Sequence, residues 1–152
     1  MLNTMMKSAL ARAAGALFVV VSAFNLYIAL YDKTLSELDP LHHSVNWAFV
    51  VIDLVCAALL LVRPRALSLT LAGILWPLAY IFSLFVDIET RLCLGTNINC
   101  WPSALDSYDY LILGSASEGW LLWPYTMRVV IVLLVLIIAL ASFSLVLTYK
   151  KK

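Results

Sequence analysis

The sequence predicts an all-α integral membrane protein, a four-helix bundle with a long outer loop between its third and fourth helices. Of 152 residues, 64% are hydrophobic and 12% are charged, whereas soluble domains average about 45–50% apolar and about 25% charged residues. Long apolar runs and a biased distribution of charge also predict a membrane protein. This composition excludes a separate soluble catalytic domain, and ten basic against nine acidic residues give no basic field for nucleic acid.

Four apolar runs, each close to one bilayer thickness, predict membrane-spanning helices at 13–31, 45–62, 66–86 and 129–148. The first run follows Lys7 and Arg12, as in a signal peptide. Its apolar core is longer than that of a signal peptide, and no clear small-x-small cleavage site follows before Asp32, so we interpret it as a retained helix. A single transmembrane domain then fills residues 1–152, with outer loops at 32–44 and 87–128 and an inner turn at 63–65.

Basic residues indicate the orientation of these spans. If the chain crosses the membrane four times from a cytoplasmic N-terminus, seven Lys and Arg residues fall inside and three fall outside, together with eight of the nine acidic residues. This bias is the one that the positive-inside rule describes, so both termini are predicted to be cytoplasmic, and a bacterial inner membrane fits best. The inside set is Lys7, Arg12, Arg63, Arg65, Lys150, Lys151 and Lys152.

The outer loop at 87–128 holds most of the polar variety of the chain. Leu105, Tyr108, Leu111 and Ile112 recur at helical spacing and predict a short interfacial helix. Cys93 and Cys100 have six residues between them, and on the outer side of a membrane this pair predicts a disulfide. A redox-active pair is the alternative, although the Cys-x-x-Cys spacing of thiol oxidoreductases is absent.

Other polar residues outside the membrane suggest simpler roles. Asp87 or Glu89 can form an outer ion pair with Arg128, which otherwise anchors the chain to lipid headgroups. His42 and His43 are weak metal candidates, because adjacent histidines usually diverge and a firm site needs three or four convergent ligands. We expect no metal and no cofactor.

A carboxyl near the middle of the second span is the main candidate for function. Asp53 in the sequence VVIDLVC costs about 2.5–3.5 kcal/mol at the centre of a membrane helix, so a partner must compensate it. It is either an ion-handling, proton-handling or partner-binding group, or a neutral carboxyl that fixes helix packing. Because the spans contain no Lys or Arg to pair with it, another subunit is an expected source of that partner.

Further residues complete a predicted intramembrane polar site. Pro77 lies at a similar depth and leaves the carbonyl of Gly73 without its helical partner, so this carbonyl is one possible contact of Asp53. The fourth span is predicted to face lipid. The other residues predicted to face inward are Asn46 and Cys56 on the second span, Trp76, Tyr80 and Ser83 on the third, and Ser22 and Asn25 on the first.

These observations favour a small, non-catalytic membrane protein that acts by association in the lipid bilayer. It would be an accessory subunit among other membrane subunits, or it would assemble with copies of itself. One alternative is an oligomeric channel or transporter, or a proton path, that uses Asp53. A second alternative is a quinone- or thiol-linked redox subunit, suggested by the outer cysteines and the face that carries Trp76 and Tyr80.

Overall fold

A computed structural model of the chain describes residues 2–31, 40–84 and 123–149. Within these ranges every residue outside 63–65 is helical. The helices are α1 at Leu2–Tyr31, α2 at Pro40–Val62, α3 at Ala66–Leu84 and α4 at Trp123–Tyr149. The all-helical class that the sequence predicts is therefore confirmed for the described residues.

Three helices are long and apolar enough to cross a membrane: Met5–Tyr27, Ala66–Leu84 and Val129–Tyr149. The apolar part of α2, Trp47–Val62, is shorter. Helices α2 and α4 also begin earlier than the predicted spans, so the ends of the predicted loops 32–44 and 87–128 are helical. The reason is that hydropathy marks the apolar part of a helix, whereas Pro40 and Pro124 occupy the first-turn positions at which proline favours helix initiation.

Helices α1, α2 and α3 are successive antiparallel neighbours. Gly15 lies against Leu61, while Ser22 Oγ donates a hydrogen bond of 3.1 Å to the carbonyl of Val50. Residue numbers therefore rise along α1 as they fall along α2. Gly73 likewise lies near Leu60, and Trp76 contacts Asp53 further from the turn, which gives α2 and α3 the same antiparallel relation.

The connection at 63–65 is held by one serine. Ser68 Oγ accepts a hydrogen bond of 2.8 Å from the backbone N–H of Arg65. Its hydroxyl proton is shared between the carbonyls of Arg63, at 2.8 Å, and Arg65, at 2.9 Å. Backbone bonds also close the turn, from the N–H of Arg65 to the carbonyl of Arg63 at 2.8 Å and from the N–H of Leu69 to the carbonyl of Arg65 at 2.9 Å. Ser68 adds a side-chain partner to backbone groups at the break between two helices and so helps to fix the geometry of the turn.

Helix α3 contains a π-helical turn at Leu71–Leu75, directly before Pro77. Proline lacks an N–H and its ring clashes with the carbonyl four residues earlier, here that of Gly73. A wider turn is one of the ways in which a helix absorbs this conflict. The sequence therefore locates the irregularity correctly, and the structure shows it as a π turn.

Helix α4 packs one face into the core and is not only a wall toward lipid. Its buried residues recur at alternating spacings of four and three, which is the stripe of a helix packed against neighbours. Ser144 Oγ also donates a hydrogen bond of 3.0 Å to the carbonyl of Lys7 in α1. The buried residues of α4 are Val130, Leu134, Ile137, Ala141 and Ser144.

Small residues allow the closest approaches between helices. A Cβ atom added to Gly15 would lie 2.8 Å from Leu61 Cγ and 3.1 Å from the carbonyl oxygen of Ala57. A Cβ atom added to Gly73 would overlap the Cβ of Ala141 in α4. In a bilayer, helices associate through such close van der Waals packing, because lipid removes the hydrophobic driving force.

The contact between Gly73 and Ala141 predicts the effect of a larger residue. Gly73→Val should lower the free energy of unfolding by about 1–3 kcal/mol, because the added methyl groups have no space. Introduction of valine at the exposed Ala79, in Ala79→Val, adds two methyl groups toward open space and should have little effect. Titration of both variants with a denaturing detergent, followed by helical circular dichroism, measures the difference. Equal stability of the two variants would contradict the packing of α3 on α4.

Candidate functional site

Polar side chains from the first three helices form a hydrogen-bonded cluster around Asp53. Asn25 Nδ2 in α1 donates a hydrogen bond of 2.7 Å to Asp53 Oδ2. Trp76 Nε1 in α3 donates a hydrogen bond of 2.8 Å to Asp53 Oδ1. Tyr80 Oη, also in α3, donates to Asn25 Oδ1. Three helices are therefore joined through one carboxyl group, and we call Asn25, Asp53, Trp76 and Tyr80 the polar cluster.

The direction of these hydrogen bonds is consistent around the cluster. Each oxygen of the Asp53 carboxyl accepts a hydrogen bond from one N–H. Asn25 must then turn its NH₂ group to Asp53, which leaves its carbonyl oxygen for the hydroxyl of Tyr80. The donors that water would otherwise provide thus come from the hydroxyl of Tyr80, the NH₂ group of Asn25 and the indole N–H of Trp76.

The cluster lies inside the chain and not on its surface. Asp53 is 0% exposed, Tyr80 is 2% exposed and Asn25 is 5% exposed. Axial rise places Asp53 about 15 Å from Arg63 and Trp76 about 16 Å from Arg65. This is about half of the thickness of a hydrocarbon core of about 30 Å. Asp53 and Trp76 therefore lie at similar distances from the turn, and the carboxyl is enclosed by its own helices.

Aromatic rings cover the polar cluster on the side of α2 and α3. The ring of Phe49 meets that of Trp76 edge to face, with centroids 5.3 Å apart. Its centroid is 4.7 Å from that of Tyr80, and the rings of Trp76 and Tyr80 are 6.0 Å apart. These spacings are those of favourable aromatic pairs, so the rings hold the two donors of α3 in place.

The structure brings some of the predicted site residues together and separates others. Asn25, Asp53 and Tyr80 meet in the polar cluster. Gly73 instead contacts Ala141 and Leu60, so the indole of Trp76, and not the carbonyl of Gly73, is the partner of Asp53 from α3. Pro77, which directly follows Trp76 in the sequence, is buried. Cys56 is buried and has a free thiol.

Several predicted sites lie outside the described residues. The proposed disulfide of Cys93 with Cys100 and the acidic partners Asp87 and Glu89 are among them. The side chains of four other residues also lie outside: His42, His43, Asn46 and Arg128. Within the described ranges, no group of three or more His, Cys, Asp or Glu residues could hold a metal ion. The outer cysteines, the ion pair and the interfacial helix stay predictions.

Comparison of the chain with protein-family models, with curated proteins and with solved structures gave no match. The described part of the chain offers a polar cluster enclosed by three helices and, outside it, apolar helix surfaces.

The polar cluster predicts a non-additive pair of substitutions. Asp53→Asn replaces one of two acceptor oxygens by an NH₂ group, so this group must face either Asn25 Nδ2 or Trp76 Nε1. The free energy of unfolding should fall by about 1–3 kcal/mol. Trp76→Phe removes the opposing N–H, so the double variant should lose about 1 kcal/mol less than the sum of the single losses.

Thr70→Val is the matched control, because Thr70 Oγ1 bonds only within its own helix, to the carbonyl of Ala66 at 3.0 Å. It should change stability by no more than about 0.5 kcal/mol. Strict additivity of Asp53→Asn and Trp76→Phe would show that the indole and the carboxyl are not partners.

Proposed function

We propose that this chain is a non-catalytic integral membrane protein that acts by association, either as an accessory subunit or as a homo-oligomer. The proposal includes a four-helix bundle in an inner membrane, with both termini in the cytoplasm. Its support is the seven-to-three bias of basic residues and the length of α2, which at 23 residues is sufficient to span a bilayer. Both α1 and α3 pack on α2 and on α4, and this packing also supports a four-helix bundle.

The observation that carries the association proposal is an exposed face of small residues on α1. The opposite side of α1 is packed on α2 and α4 through residues such as Ala14 and Phe18. Small-residue faces are where membrane helices approach each other closely, which makes this face suited to a further helix. Its residues follow spacings of four and three, and all but Val20 are small: Ala9, Ala13, Ala16, Val20 and Ala23.

Enclosure of Asp53 changes how association would occur. Both carboxylate oxygens already have donors from within the chain, so compensation of Asp53 needs no second subunit. In this proposal the polar cluster holds α1, α2 and α3 in a fixed arrangement, and partner contact takes place on the outer surface of α1. Asp53 then supports association indirectly, by positioning the helix that makes the contact.

Gentle detergent extraction followed by native mass spectrometry tests the proposal. The wild-type chain should be recovered as a defined oligomer or with a defined membrane partner. Ala16→Leu should reduce that recovery, because a larger side chain separates the helices. Ala58→Leu makes the same change on the exposed part of α2 and serves as the control. A monomer in every preparation, or equal effects of the two variants, would overturn the proposal.

Conduction through an oligomeric pore is the competing function, with Asp53 as the observation that favours it. A carboxyl at mid-membrane depth is typical of ion and proton pathways. A pore lined by Asp53, however, requires this side chain to reach a water-filled surface, and its 0% exposure places it behind three helices. The association proposal therefore predicts that proteoliposomes stay tight to protons.

A pH-sensitive dye inside proteoliposomes measures this leak under an imposed potential. Wild-type protein and Asp53→Asn should give the same slow rate, equal to that of protein-free vesicles. A rapid leak that disappears with Asp53→Asn, in protein shown to be folded by circular dichroism, would favour conduction instead.

A further inference from the structure

Four basic side chains lie at the end of the helices where α1 begins and where α2 and α3 join. Arg12, Arg63 and Arg65 are exposed, and Lys7 is half-buried. We call these four residues the basic end. Arg63 and Arg65 flank Pro64 in the turn at 63–65, while Lys7 and Arg12 are the sixth and eleventh residues of α1.

Helix packing brings Arg12 to the level of the turn. Gly15 contacts Leu61, and Arg12 is three residues before this glycine while Arg63 is two residues after this leucine. Since α1 and α2 are antiparallel, both displacements lead toward the same end, by roughly 4.5 Å and 3 Å. The arginines of the two helices therefore lie at nearly equal depth.

The turn also holds its two arginines in a fixed backbone geometry. Ser68 Oγ bonds both the N–H and the carbonyl of Arg65, and it shares its proton with the carbonyl of Arg63. Two cationic side chains are thus presented from an ordered connection on a membrane-spanning hairpin. Fixed presentation lowers the conformational entropy that binding of an anion would otherwise cost.

The positive charge at this end has no acidic counterpart in the neighbouring sequence. The chain contains no Asp or Glu at 1–31, 54–86 or 119–152. Among the described residues, Arg12, Arg63 and Arg65 have no carboxylate partner. The C-terminal part of α4 lies beside α1, through Ser144 and the carbonyl of Lys7, and three lysines follow α4 in the sequence.

We propose that the basic end binds the phosphate groups of anionic phospholipids. A candidate span begins at Ala66, directly after the turn, which places Arg63 and Arg65 at the bilayer surface, where the phosphate groups of lipids are located. Lys7 and Arg12 belong to the N-terminal part of the first candidate span, Met5–Tyr27. Guanidinium groups bind phosphate oxygens through paired N–H donors, and clusters of basic residues beside membrane helices attract anionic headgroups. The interaction is distinct from association through α1 and does not require it.

Lipid retention in native mass spectrometry tests this proposal. Full-length protein is reconstituted in nanodiscs of phosphatidylcholine with phosphatidylglycerol, released into mild detergent, and scored for bound phospholipid. Wild-type protein should retain phosphatidylglycerol in preference to phosphatidylcholine. The double variant R63Q/R65Q should weaken this preference by about fivefold for each arginine removed, because each contributes roughly 1 kcal/mol near an anionic surface.

A charge-matched control is the double variant K33Q/R91Q, which removes two cations from segments predicted to lie on the other side of the membrane. It should keep the wild-type preference. Inorganic phosphate at millimolar concentration should not displace bound phosphatidylglycerol, because the bilayer supplies the local concentration of headgroups. Displacement by free phosphate would instead identify a soluble anion as the ligand and would overturn the lipid assignment.

The added salt in the release buffer provides a second measurement. Retention by wild-type protein should fall as ionic strength rises, since screening weakens contacts between exposed charges. Equal lipid preference in wild-type protein and R63Q/R65Q, with both variants folded by circular dichroism, would overturn the proposal.

Discussion

A carboxyl group enclosed by three helices constrains the arrangement of those helices. Asp53 cannot reach water, so each of its oxygens needs a donor from a neighbouring helix. Asn25 supplies one from α1 and Trp76 supplies the other from α3. Since hydrogen bonds of 2.7 Å and 2.8 Å tolerate little displacement, rotation of α1 or α3 about its axis would leave an acceptor and a donor unsatisfied. The polar cluster therefore specifies rotation, which apolar packing in lipid specifies poorly.

Packing and the polar cluster depend on each other. Gly15 lets α1 approach α2 closely, and this approach brings Asn25 within reach of Asp53 further along the same pair of helices. In α3, the π turn at Leu71–Leu75 lies between Gly73, which contacts α4, and Trp76, which contacts α2. An extra residue in one turn changes the direction of every later side chain by roughly 100°. The π turn thus lets one helix satisfy two different neighbours.

Hydropathy was sufficient to locate the apolar part of each described helix, because apolar length is a property of the sequence alone. It did not predict where α1, α2 and α4 begin. The same periodicity predicts inward faces for Asn25, Trp76 and Tyr80. It does not predict that Trp76 would bond Asp53, since this depends on the rotation of α3 after the π turn. Hydropathy also does not predict which side of α4 is buried, because nearly every residue of that helix is apolar and no side is more polar than another. Ser144 lies on the packed side, but Ser142 and Thr148 are polar as well, so the sequence alone does not single it out.

Satisfaction of Asp53 within the chain bears on where function can reside. A carboxyl whose hydrogen-bond donors come from its own chain need not contact any other molecule. It still affects the surface that other molecules bind, because it fixes the arrangement of the helices. Its substitution would then disturb association and stability together, while a change at Ala16 on the exposed face of α1 would disturb association alone. Loss of function on replacement of an intramembrane acid is therefore ambiguous between a transport role and a structural role. Enclosure by Asn25, Trp76 and the aromatic rings favours the structural role for Asp53.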